Sequence, residues 1–288
     1  MGAGLPVRIL ATARDPGAAF QIGTIARRLA ARPRFRVTCA AVGAAVPIFR
    51  DLGLDPEEIP EGDALARATE LLARHAPGFA LCGQSGPDAG LDEAVVRLAA
   101  CPKAVFQDFW GYAPPGFGAQ PDLFLTLDAA AAERTRARTG RACAAVGSPR
   151  HDAYTAASWH EARAAGRPAF ATEGLHLLFL GQPFAERPAY RRTLDVVIAA
   201  ARATPGARLH YLPHPKSPAS HAAAMRDRLR REEIGEAIAV SRIEHAVAAA
   251  DVVTTAFSSA AYDYVALARA AGEPFAPPLF LLWEDDLK

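Results

Sequence analysis

Residues 250–267, ADVVTTAFSSAAYDYVAL, set the pattern for the rest of the chain. Residues 251–257 read as a buried strand. The serine pair Ser258-Ser259 then opens a helix carrying Tyr262, Asp263 and Tyr264. Such an exit puts two hydroxyls and a row of unpaired backbone N–H groups at one helix N-terminus. The macrodipole there favours an anion, and phosphate is the usual occupant. The plainer reading makes the serines an N-cap only, a gain of about 1 kcal/mol. The surroundings must decide between the two.

Upstream, short apolar runs alternate with helical patterns. Residues 7–13 form a first strand, followed by the turn Arg14-Asp15-Pro16-Gly17 and a helix through Phe20, Ile22, Ile25, Ala26 and Leu29. No GxGxxG fingerprint occupies that loop. Further strands are expected at residues 35–42, 79–82, 103–106, 123–127 and 142–146, with helices at 46–52, 64–75, 91–100 and 129–138 between them. The rhythm pauses over residues 155–173, rich in Ala, Arg, Gly and Pro. It restarts with strands at 175–180, 208–212, 237–240 and 251–257 and helices at 190–203, 220–233 and 243–250, and residues 279–283 close the sheet. Strands alternating with helices of 10–15 residues imply parallel sheets covered on both faces. The expected class is therefore α/β, with two Rossmann-like units, residues 1–150 and 151–288.

Size and composition agree. A chain of 288 residues that is 51% apolar and 22% charged can build two cores. Its net charge of +1 gives no basic excess to draw it to nucleic acid. Cys39, Cys82, Cys101 and Cys143 lack metal-ligand or CxxC spacing and read as reduced packing residues. The N-terminus has no secretory pattern, and no apolar run approaches the ~20 residues that span a bilayer. The expected location is cytoplasmic. Pro6 stands where a myristoylation signal after Gly2 would place Ser or Thr.

In a parallel α/β sheet, ligands bind beyond the carboxyl ends of the strands. Three polar exits of the second unit fall there: Gly181-Gln182-Pro183, His214-Pro215-Lys216 and Ser258-Ser259. His214 between two prolines cannot lie within a helix and sits in an extended turn. With Lys216 beside it, it is a phosphate ligand candidate; read alone, it is a loop histidine.

These residues carry a resemblance. AFSSAAYDYVAL resembles the serine-serine motif of CDP-glycerol glycerophosphotransferases, and PHPK resembles their HP motif, a pair also similar to that of bacterial sialyltransferases. GSPRHDAY is similar to the G-N-P-x-x-D segment of UDP-N-acetylglucosamine 2-epimerase-like proteins and other members of the GT-B class. The resemblance implies two Rossmann-like domains with a cleft between them, a nucleotide-activated donor on the C-terminal one and an acceptor on the N-terminal one. It implies that His214, Ser258 and Ser259 hold donor phosphates; beside that resemblance, Gly181, Gln182 and Lys216 on the same rim, and Arg150, are further candidates for the donor site. Ala256-Phe257 departs from the usual Asp-Tyr, Gln107-Asp108 stands where relatives carry His-Gly, and the chain ends at Lys288, earlier than GT-B proteins usually do.

An inverting transfer also needs a base for the acceptor hydroxyl. Asp108, among Phe109, Trp110 and Tyr112 at a strand end, is the candidate, and Asp15 competes with it. Each is otherwise a turn carboxylate. No DxD pair suggests a metal, and Glu284-Asp285-Asp286 reads as solvated. The leading expectation is a metal-independent glycosyl- or glycerophosphotransferase in cell-surface polysaccharide or glycolipid assembly. Its donor would be a nucleotide-sugar or CDP-alditol, used as substrate with no further cofactor, and its acceptor a saccharide or lipid-linked group. A 2-epimerase-like isomerase is the alternative, supported by GSPRHD and opposed by the lack of a D-S-G-G-x-x-E-E run. A non-catalytic nucleotide-sugar binding protein is the third. Residues 220–233, with Arg226, Arg228, Arg230 and Arg231, are a solvated helix face that could also touch an anionic membrane.

Overall fold

The computed structural model describes residues 5–86, 88–110, 116–170 and 173–281. Tyr112, Trp283 and the acidic Glu284-Asp285-Asp286, each given a place above, lie outside them. The chain forms two compact units, one ending at Asp152 and the other beginning at Ala153.

The first unit runs β1 (Val7–Ala13), α1 (Pro16–Ala30), β2 (Phe35–Ala41), α2 (Ala45–Asp51), β3 (Glu57–Glu58), α3 (Ala64–His75), β4 (Phe79–Cys82), α4 (Leu91–Leu98), β5 (Lys103–Phe106), β6 (Leu123–Thr126), α5 (Ala129–Thr139) and β7 (Ala142–Ala145). Its strands pair in parallel in the order β3-β2-β1-β4-β5-β6-β7. Strand order reverses between β1 and β4. Local chemistry marks the helix ends. Asp63 caps α3 by accepting the Leu65 and Ala66 N–H groups, and Asp128 caps α5 through Ala131. Gly140 ends α5 at φ 68°, a left-handed position that glycine fills without strain.

The second unit runs α6 (Ala156–Gly166), β8 (Leu175–Leu180), α7 (Pro188–Ala203), β9 (Ala207–Leu212), α8 (Ala219–Arg231), β10 (Gly235–Ala237), α9 (Ile243–Ala249), β11 (Val252–Thr255), α10 (Ala261–Ala271) and β12 (Leu279–Phe280). Its sheet is parallel in the order β10-β9-β8-β11-β12, and the order reverses between β8 and β11. Leu178, Phe179 and Val253 are fully buried between helix layers that contribute Tyr190, Ala246 and Leu267. Each such large apolar side chain contributes about 1.5–3 kcal/mol.

The expected alternation gives the two parallel sheets, with local differences, among them the unforeseen short strand β3 (Glu57–Glu58). The pause at residues 155–173 contains helix α6. A reciprocal cap between Thr155 and Ser158 starts it, and Trp159 buries it against Tyr264. The strand expected at 237–240 lies two residues earlier, where Gly235 passes so close to the Leu209 carbonyl that a Cβ would sit 1.8 Å from it. The helix expected to open at the serines begins at Ala261, because Ser258 to Ala260 form a turn first. No helix among the described residues is long and apolar enough to cross a membrane.

Candidate functional site

The parallel register of the second sheet brings the expected exits to one rim, in the order His214, Gly181, Ser258. The strands bearing them, β9, β8 and β11, are neighbours spaced roughly 4.8 Å apart. Ser258 and His214 therefore flank the β8 exit at a strand-to-strand span of roughly 10 Å.

The β11 exit is built from hydroxyls. Thr255 Oγ1 donates to the Leu180 carbonyl at 3.1 Å and accepts the Ser258 N–H at 3.0 Å, which ties the serine turn to the neighbouring strand. Ser258 Oγ accepts the Ala260 N–H at 3.3 Å, so Ser258 does act as a cap, one turn ahead of α10. Beneath this turn the Tyr154 hydroxyl lies 2.8 Å from Asp263 Oδ1 and 3.1 Å from Glu244 Oε1. Asp263 and Glu244 are both buried.

The β8 exit is held by tyrosines. The Gly181 N–H donates to the Leu212 carbonyl at 2.8 Å, and the Gln182 N–H donates to Tyr190 Oη at 2.7 Å. A Cβ on Gly181 would lie 2.7 Å from Tyr211 Oη, so this position accepts glycine alone. Burial, chiefly, raises the Tyr190 and Tyr211 hydroxyls far above the physiological range and keeps them neutral. Gln182 itself is buried. At the β9 exit, His214 Nδ1 accepts the Lys216 N–H at 3.1 Å and the His214 carbonyl accepts the Ser217 N–H. A neutral imidazole that accepts at Nδ1 carries its proton on Nε2.

Arg150 belongs to the first unit. Its guanidinium stacks 3.9 Å over the Phe20 ring, and its N–H donates to Gln21 Oε1. Gln21 in turn donates to Ser148, and Arg28 pairs with Asp152, so residues 147–152 pack along α1. Asp108 follows β5 and is half-buried. Beside it, Trp110 Nε1 donates to Asp128 Oδ2 at 2.7 Å and Phe109 packs edge-on against the indole. Asp15 lies at the β1 exit. Its Oδ2 accepts the Gly86 N–H at 3.0 Å and its Oδ1 faces Arg14 Nε at 3.2 Å, so it joins the two loops at the reversal of strand order.

The sequence reading missed a network at that same reversal. Thr12 Oγ1 donates to Asp92 Oδ1 at 2.6 Å, and Ser85 Oγ lies 3.1 Å from Asp92 Oδ2. Glu93 accepts the N–H groups of Ser85 and Gly90, each at 2.8 Å. Asp92 is fully buried, and burial first, then the neighbouring Glu93 charge, push its carboxyl up to about 7. The Glu93 half was legible as an acidic residue three places into a helix, the capping pattern. The Asp92 half depends on Thr12, 80 residues earlier.

Burial raises all four thiols and leaves them protonated, and all four are free. Cys101 and Cys143 are only half-buried. Among the described residues no group of three or more His, Cys, Asp or Glu side chains could hold a metal ion.

No protein-family model matches this chain, nor does any curated protein. Solved structures share its fold. The Neisseria meningitidis UDP-GlcNAc 2-epimerase bound to UDP-GlcNAc superposes with a TM-score of 0.73 at 9% identity, covering 96% of this chain and 82% of that one. The S. aureus MnaA–UDP co-structure gives 0.67 at 10% identity, over 93% and 78% of the two chains. Acinetobacter baumannii MurG gives 0.51 at 14% identity, over 98% and 80%. The likeness establishes a two-domain Rossmann-like fold of the GT-B type.

Proposed function

We propose that this chain is an enzyme acting on a nucleotide-activated sugar, and that its second unit holds the diphosphate at the β8–β11 reversal. The observation that carries the reading is the turn in which Thr255 fixes the Ser258 amide beside the Gly181-Gln182 exit. Two hydroxyls and a helix start follow β11, and His214 and Lys216 follow β9 on the other side of β8, an arrangement that would suit an anionic group. The structural neighbours named for UDP and UDP-GlcNAc support a nucleotide-sugar as the ligand.

The favoured reaction is a metal-independent glycosyl or glycerophosphoryl transfer. The acceptor oxygen bonds to the transferred group, the bond to the leaving phosphate oxygen breaks, and the acceptor proton passes to a carboxylate. Asp108 is proposed for that role, with Asp15 competing; both Asp15 oxygens already face donors, which weakens it as a base. His214, Lys216, Ser258 and Ser259, with Arg150 as a further cation, would stabilise the departing charge. A cytoplasmic setting at a membrane surface, with a lipid-linked acceptor, belongs to this reading.

A 2-epimerase-like isomerisation is the second reading, and one observation favours it. The acidic partners that the linear sequence lacks beside the serines are supplied by the fold, where Asp263 and Glu244 meet on Tyr154. Incubation with UDP-GlcNAc followed by proton NMR separates the two. Release of UDP only when a saccharide or lipid-linked acceptor is added supports transfer; a second UDP-sugar without UDP release supports isomerisation. Absence of binding to UDP, CDP and their sugar or alditol derivatives refutes both.

A further inference from the structure

The network around Asp92 costs the first unit stability, since a carboxyl with no solvent exposure is held against a second carboxylate. Its contacts span the reversal of strand order. Thr12 comes from the carboxyl end of β1, Ser85 from the β4 exit, and Glu93 from the first turn of α4. The same exit is bound from the other side, where Asp15 accepts the Gly86 N–H and the Thr12 carbonyl accepts the Gly83 N–H at 3.0 Å. Gly83 is pressed so closely on α1 that a Cβ would lie 2.6 Å from the Ala18 methyl. Every hydrogen bond named here that pins residues 83–86 thus ends on Asp92, its neighbour Glu93, Asp15 or β1.

We infer that Asp92 is a positioning residue that works in its protonated form, as the hydrogen-bonded bridge that fixes residues 83–86 at the rim of the first unit. A protonated Asp92 accepts the Thr12 hydroxyl at Oδ1 and donates from Oδ2 to Ser85 Oγ. Glu93 accepts the Ser85 and Gly90 N–H groups beside it. Removal of the Asp92 proton places a second negative charge beside Glu93 in a site with no solvent exposure and turns the Ser85 contact round. The charged and titratable groups facing it are Glu93 on α4, Cys82 on β4, and Asp15 with Arg14 in the loop after β1. Only Arg14 is a cation, and Asp15 already occupies it, so ionisation is relieved by opening the loop.

The Gly83, Ser85 and Gly86 amides report this directly, since each is hydrogen-bonded within the network. Hydrogen exchange of the full chain, read on the peptide over residues 83–90 and normalised for the intrinsic pH dependence of exchange, should show roughly tenfold more frequent opening at pH 8.5 than at pH 6. Asp92→Asn, which keeps the shape and cannot ionise, should abolish that difference. Asp92→Ala should open the segment equally at both pH values, and Ser85→Ala should leave a reduced pH response. An identical pH response in the wild-type chain and Asp92→Asn overturns the inference. So does a difference spread evenly over the first unit, which would mark a purely structural acid.

Discussion

The two reversals of strand order occupy the same place in two parallel sheets and are furnished in opposite ways. Between β1 and β4 the first unit sinks two carboxyls, two hydroxyls and a web of backbone N–H groups. Between β8 and β11 the second unit offers hydroxyls, backbone and glycine, with the acids Asp263 and Glu244 kept behind the turn. Its buried titratable pair, His176 and His210, lies within the strands, with Nδ1 and Nε2 3.0 Å apart under Phe170. A rim that receives an anion should present donors without competing negative charge, which is the role proposed for the second unit's rim. A rim that carries a buried proton must accept a cost in stability, and the first unit does that.

The contrast can be broken by mutation, beginning with the largest effect. Gly181→Val pushes a branched side chain into Tyr211 Oη and the Leu212 carbonyl. It should cost about 3 kcal/mol in denaturant unfolding of the second unit. If the variant unfolds at the wild-type midpoint, the β8 exit is looser than described.

Acid should separate the units next. Burial, then the neighbouring His176, lowers the His210 imidazole from 6.5 to about 4, and burial lowers His176 as well. An imidazole held neutral in the native state is protonated first in the unfolded chain. Its cost is therefore absent above pH 6.5 and grows as pH falls towards 4. Between pH 7.5 and pH 5 the second unit should lose about 2 kcal/mol through His210. The first unit shifts oppositely, because ionisation of Asp92 makes it less stable as pH rises from 4 to 7. Unfolding followed separately through each unit, with His210→Phe and Asp92→Asn as controls, should give slopes of opposite sign. Slopes of the same sign in the wild-type chain would erase the contrast.

Thr255→Val tests the hydroxyl bridge itself. The change leaves the Ser258 N–H and the Leu180 carbonyl without this partner and should cost about 1.5 kcal/mol. Ser258→Ala removes a 3.3 Å cap and should cost only about 0.5 kcal/mol in stability, while weakening nucleotide affinity several-fold. Equal affinity in Ser258→Ala and wild type would leave Ser258 as a cap and nothing more.

Periodicity made the sheets and most helices legible, because each strand is a short apolar run and each helix repeats every three to four residues. It also placed Gly181, His214 and Ser258 at strand ends, and parallel pairing does the rest. Where the reading slipped, tertiary contact had overruled local pattern. Helix α6 hides in an Ala- and Arg-rich stretch whose large buried anchors among the described residues are Trp159 and, just past the helix, Phe170. The turn from Ser258 to Ala260 depends on Thr255 reaching Leu180, 75 residues away. Asp92 looked like an ordinary acidic residue in a helix's first turn, where such residues suit the macrodipole. Only the fold shows it buried against Thr12. The stacking of Arg150 on Phe20 is likewise a contact across 130 residues that no spacing encodes.

Amide chemical-shift mapping with UDP decides whether the second unit's rim holds the diphosphate of a nucleotide. Saturable shifts are expected at Gly181, Gln182, Lys216 and the Ser258 to Ala260 turn, with Ser258→Ala weakening the titration. Saturable shifts confined to the first unit, or no shifts with UDP or CDP, would contradict that reading.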